Sequence, residues 1–129
     1  MGKTSINQLS REPQYPFNSV TKITDVKMRQ LRNWLERGAI KLDANDKRKN
    51  GKHRRFSEMD MFRIALISSL VSMGFSHIRA SEIAESTNVK DKRLCIHFNG
   101  DAAATINIKQ MVMRIKLKLD GQHLRYSQV

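Results

Sequence analysis

A mainly helical fold, a winged helix-turn-helix followed by a small β-hairpin and a helix, is what the 129-residue sequence predicts. Three observations predict it. Two short apolar-periodic segments meet at a turn of about three residues near Asp25, the spacing of a helix-turn-helix. A basic, apolar-poor stretch containing Asn50-Gly51 follows, with the makeup of a charged hairpin. Beyond residue 90 the apolar pattern alternates, as in strands, before a helical stripe returns.

Residues 1–15 lack apolar periodicity and carry Pro13 ahead of Pro16, so they read as a flexible arm. Asn18 is a candidate N-cap for a first helix carrying Val20 and Ile23 and ending near Thr24-Asp25. A second helix over 27–37 stops at Gly38, a natural residue just past a helix end. Residues 41–55 hold seven Lys or Arg against two Asp, around the Asn50-Gly51 turn. Ser57 opens a third helix, with Asp60 completing an S-x-x-D capping pattern. Met59, Phe62, Leu66, Leu70 and Met73 then form its apolar stripe, Gly74 ends it, and Ser76 caps a fourth helix reaching Glu85.

The C-terminal third is of another kind. Leu94, Ile96 and Phe98 alternate, Asn99-Gly100 marks a turn, and residues 104–108 return as a strand. Residues 108–119 fit two periods: Ile108, Met111, Val112, Ile115 and Leu119 make a helical stripe, while Met113 to Leu119 alternates with Arg114, Lys116 and Lys118. Lys, Leu, Met and Arg are good helix formers, so the helix is the preferred reading. Hairpin and helix together carry more apolar residues than they can cover, which points to dimerisation through 88–129; the alternative is that the segment folds back on the helix 58–73 of its own chain.

On a wheel of 100° per residue, Met28, Leu31, Trp34 and Leu35 share the expected core face of the second helix. Arg29, Asn33, Glu36 and Arg37 fall opposite, with Gln30 and Arg32 at the margins. Arg and Asn pair bidentately with guanine and adenine edges in a major groove, which gives this face the chemistry of a recognition helix. The plainer alternative is a solvated basic face. The segment that follows, with Lys52, His53, Arg54 and Arg55 after its Asn-Gly turn, has the composition of a wing that contacts phosphates. Its plainer alternative is a charged loop.

These residues carry a resemblance. FNSVTKITDVKMRQLRNWLERGAI, NGKHRRFSEMDMF and LVSMGFSHIRASEI stand in the order found in the MerR family of winged helix-turn-helix regulators. Phe17 and Val20 match first-helix positions, Val26 and Met28 the turn, Leu31-Arg32 the Leu-Arg pair, and Trp34 an aromatic position. Asp25 stands where the family's turn Gly is usual, Lys27 where a capping Ser is, and Asn33 where a Tyr is common. The resemblance covers about residues 16–86 and implies a double-stranded DNA-binding domain over 16–87. Carried over position by position, it implies Arg29 and Arg32 as contacts of the recognition helix and Arg54 and Arg55 as contacts of the wing; Lys27, Gln30, Asn33, Lys52 and His53 are candidates from their place on the same helix and loop. It also implies a homodimer, with RNA polymerase as a further partner. No apolar run long enough for a membrane span and no secretory signal are read in the sequence, so a cytoplasmic, nucleoid-associated location is expected. No segment after residue 86 resembles the long antiparallel helix through which many members dimerise.

Composition agrees with a polyanionic partner. Twenty-four Lys and Arg against twelve Asp and Glu give +12 and a pI near 10.4. A single cysteine rules out an internal disulfide framework and a multi-cysteine zinc site. Cys95, flanked by apolar residues, reads as a buried or half-buried free thiol sharing a strand face with His97, rather than as a ligand or sensor. No Gly-rich phosphate loop, H-E-x-x-H or nucleophile elbow appears. Asp43, Asp46, Glu58 and Asp60 are too scattered for two-metal chemistry, so neither an enzyme nor a cofactor is expected. An excisionase-like DNA-bending factor and a basic RNA- or protein-binding module remain as alternatives.

Overall fold

The structure, a computed structural model, describes residues 9–38, 40–42, 55–97 and 100–127, with the side chains of the final helix as far as Gly121. Among the described residues the chain is mainly helical, with one two-stranded antiparallel sheet. It divides into two compact units, Ser10–Ser86 and a second one containing Thr87–Val129.

Ser10–Ser86 holds four helices: α1 (Phe17–Thr24), α2 (Met28–Glu36), α3 (Glu58–Ser72) and α4 (His77–Ser86). Helix α3 is its centre. Met61, Phe62, Ile64, Leu66, Ile67 and Leu70 are all fully buried, so the helix is covered on more than the single stripe its spacing suggested. Each such side chain contributes roughly 1.5–3 kcal/mol on leaving water. Its start is fixed by a reciprocal capping box. The Asp60 N–H donates to Ser57 Oγ (3.0 Å), and the Ser57 N–H donates to Asp60 Oδ2 (3.1 Å). Both residues are buried, so the box satisfies donors that water cannot reach. Gly74 takes φ +109° past the helix end, and Ser76 Oγ accepts from the Arg79 N–H at the start of α4.

The turn between α1 and α2 spans residues 25–27. Asp25 lies in the left-handed region at φ 62°, where glycine is the easier residue, and its N–H closes α1 on the Thr21 carbonyl. Thr24 Oγ1 donates to the Val20 carbonyl (2.8 Å) and accepts from the Val26 N–H (3.3 Å), locking the chain into the turn. Val26, Leu31 and Trp34 are buried and hold α2 to the domain, and Gly38 follows at φ +62°.

From Ser10 onward the expected arm is tied down. Phe56 and Tyr15 form an isolated antiparallel bridge (Phe56 N–H to Tyr15 O, 2.8 Å; Tyr15 N–H to Phe56 O, 3.0 Å). The Met59 N–H donates to the Ser10 carbonyl, and the Ser10 N–H donates to Glu58 Oε1. With the Tyr15 side chain buried as well, residues 10–15 belong to the helical unit.

In the second unit, β1 (Arg93–His97) pairs with β2 (Ala103–Asn107) in the register Arg93↔Asn107 through His97↔Ala103. Leu94, Ile96, Ala104 and Ile106 share its half-buried face. Helix α5 follows directly as Ile108–Ser127, so the helical period prevails over the alternating one. Its 20 residues make it about 30 Å long, much longer than the sequence pattern indicated. Ile108, Met111, Val112, Ile115 and Leu119 are all buried within the single chain. The expected apolar surplus on that stripe is therefore absent. Among the described residues the large apolar side chains that stay exposed on α5 are a different pair, Met113 and Leu117, 40% and 67% accessible. No described helix is long and apolar enough to cross a membrane.

Candidate nucleic-acid interface

Helix α2 turns one face inward through Leu31 and Trp34 and presents the other to solvent. The exposed side lines an open groove of about 1120 Å³, bounded by Asp25, Lys27, Met28, Arg29, Gln30, Arg32, Asn33 and Glu36, with Ser68 contributed by α3. Five of the sequence-derived candidates, Lys27, Arg29, Gln30, Arg32 and Asn33, thus come together along one surface. Lys27, Arg29, Arg32 and Asn33 are exposed and Gln30 is half-buried. Lys27 is the N-cap of α2 in extended conformation, and since an ammonium has no acceptor the helix starts without a side-chain cap.

Arg32 has a structural anchor that the sequence pattern did not reveal. Its guanidinium carbon lies 5.6 Å from the centroid of the Phe17 ring on α1. Phe17 in turn meets the buried Phe56 edge-to-face, with centroids 6.3 Å apart and planes inclined by 65°. A cation over an aromatic face at an exposed position gains about 0.5–1 kcal/mol. The stack narrows the rotamers of Arg32, a side chain otherwise rich in them, while its guanidinium keeps donors for a phosphate. Because Phe56 follows Arg55, the same ring contacts tie the backbone at Arg55, through Phe17, to Arg32 of α2. The one available signal was an aromatic at the first residue of α1.

Met28 departs from the expected core face and is 45% exposed. The burial centre of α2 lies between Leu31 and Trp34, about 90° from Met28 on the wheel, so an apolar residue there sits on the shoulder of the groove. Leu35, on the same shoulder, is half-buried. Arg55 is exposed, whereas Lys52, His53 and Arg54, together with the Asn50-Gly51 turn, lie outside the described residues.

Cys95 is exposed rather than buried, with Sγ 3.8 Å from Nε2 of His97 on the same strand face. The alternation that half-buries Leu94 and Ile96 turns Cys95 and His97 the other way. Among the described residues no group of three or more His, Cys, Asp or Glu is placed to hold a metal ion.

No curated protein matches the chain. The model of the MerR HTH family regulatory proteins matches residues 15–87, the stretch that contains α1, the turn, the exposed face of α2, α3 and α4. That match spans more than half of the sequence and coincides with the compact helical unit, so this chain belongs to the MerR HTH family, whose helix-turn-helix is a DNA-binding domain.

Proposed function

We propose that this protein is a non-enzymatic, sequence-specific regulator of transcription in a prokaryote or phage, placing α2 in the major groove of an inverted-repeat operator. The observation that carries this reading is the exposed face of α2, where Lys27, Arg29, Gln30, Arg32 and Asn33 converge on one open groove within a MerR-type helix-turn-helix. Arg29, near the start of the helix, reads a base edge, and Arg32, stacked on Phe17, takes a backbone phosphate. The basic segment with Lys52, His53, Arg54 and Arg55 acts as the wing on the adjacent backbone. The net charge of +12 supplies the long-range attraction to a polyanion.

A homodimer completes the reading, since two copies related by a twofold axis match a palindromic site. Support comes from Met113 and Leu117, whose exposure leaves an apolar strip on the otherwise basic outer side of α5. RNA polymerase is the further partner through which such a protein acts, and the nucleoid the place.

The test is selection of bound duplex from a random-sequence pool, followed by titration against salt. A symmetric site should emerge, with affinity falling steeply as salt rises, because about 4–8 phosphates are neutralised per protomer. Arg54→Ala and Arg55→Ala should weaken specific and non-specific binding together and flatten the salt slope. Leu117→Glu should shift sedimentation from dimer towards monomer. Binding that duplex competitor fails to displace would overturn the DNA reading in favour of an RNA or protein partner.

A further inference from the structure

Among the described residues four large apolar side chains stand exposed: Met28, Ile78, Met113 and Leu117. Of these, Met28 lines the groove with Arg29, Gln30, Arg32 and Asn33. We propose that Met28 is a specificity-determining residue that reads the 5-methyl group of a thymine in the major groove. The inference rests on the assignment of α2 as the recognition helix and adds what that helix distinguishes.

Three features lead there. Met28 is the first residue of α2, and the N-terminal end of a recognition helix approaches the base edges most closely. Its side chain is 45% exposed among polar groups that a phosphate or a base edge can satisfy, while a thioether with two methylenes and a methyl gains little from either. The major groove offers one apolar feature, the C5-methyl of thymine, and the other bases present donors and acceptors there. A flexible, unbranched side chain can follow that methyl without a fixed hydrogen-bond geometry. Arg29 and Asn33 have the chemistry for guanine and adenine edges, so Met28 adds the base that they cannot read.

The experiment uses the full chain and the duplex selected from a random pool, resynthesised with each thymine replaced singly by deoxyuridine, which removes only the methyl. At one thymine or two per half-site, the replacement should weaken binding by about fourfold, the loss of one buried methyl-sized group. Met28→Gln, of similar length and helix propensity, should bind thymine and deoxyuridine duplexes equally, while Met28→Leu should restore most of the difference. Circular dichroism should show all three proteins equally folded, because the side chain is exposed. If the native protein binds a defined site yet ignores every deoxyuridine, or if Met28→Gln still discriminates, the methyl-reading role is overturned and the DNA-binding assignment stands. If no duplex is bound at all, the inference falls together with the reading beneath it.

Discussion

Helix α3 buries seven of its fifteen residues and α2 only two of its nine, although both belong to the same small domain. The starts of the two helices differ in the same sense. The first turn of α3 carries Glu58 and Asp60, and its N-cap closes a two-way hydrogen-bonded box. Helix α2 begins at Lys27 with no side-chain cap and no acidic residue in its first turn. A carboxylate there would favour the helix dipole but repel a phosphate, so α2 forgoes a stabilising group that α3 uses. What the contrast teaches is a division between a helix optimised to be held and one optimised to be offered.

Four substitutions test that division. Phe62→Ala, in the fully buried face of α3, should lower the unfolding free energy by about 3–5 kcal/mol in urea titration. A loss under 1 kcal/mol, the size expected of a surface site, would mean that α3 is not the centre of the domain. Arg29→Ala should leave that curve within about 0.5 kcal/mol of the native one. It should instead weaken binding to the selected duplex by about 1–3 kcal/mol and relax preference at one base position. A uniform loss across all sequences would make Arg29 a phosphate contact. Ser57→Ala removes one arm of the buried capping box and should destabilise by about 1–2 kcal/mol, leaving sequence preference unchanged. The smallest and most diagnostic change is Lys27→Ser. It should stabilise the fold by about 0.5–1 kcal/mol through a new N-cap while lowering DNA affinity and the salt slope. Effects of the same sign would erase the distinction between the two helices.

The scaffold was more legible than the surface. Ser57-x-x-Asp60, Gly38, Gly74 and Ser76 act through near-neighbour hydrogen bonds or backbone angles, which sequence spacing specifies directly. The polar face of α2 was also readable, because a helical wheel needs only the period. Where the reading failed, neighbours distant in sequence decided. Met28 lies on the nominal core side of the wheel, yet the packed centre of α2 falls between Leu31 and Trp34. Tyr15 lies in a segment without periodicity and is buried through its bridge to Phe56, 41 positions on. For Cys95 the alternation was seen, but burial followed the Leu94 and Ile96 face instead. The helical stripe of α5 is legible in its spacing, whereas its cover comes from contacts that spacing does not show. The Arg32–Phe17–Phe56 stack has no local signature, since it joins three segments that only the fold brings together.

The described residues flanking the segment 43–54 are moored to different parts of the helical unit. Before it, Ile40 and Leu42 are buried and the Lys41 N–H donates to the buried Ser81 Oγ of α4 at 3.1 Å. After it, Phe56 is fully buried and bridged to Tyr15. Both of these hydrogen bonds use backbone N–H groups, which every residue but proline supplies, so neither depends on which side chain stands at position 41 or 56. Position 41 can therefore change its charge where Ile40, Leu42 and Phe56, buried on either side, cannot, and the flanks of 43–54 divide into positions free to drift and positions that are held.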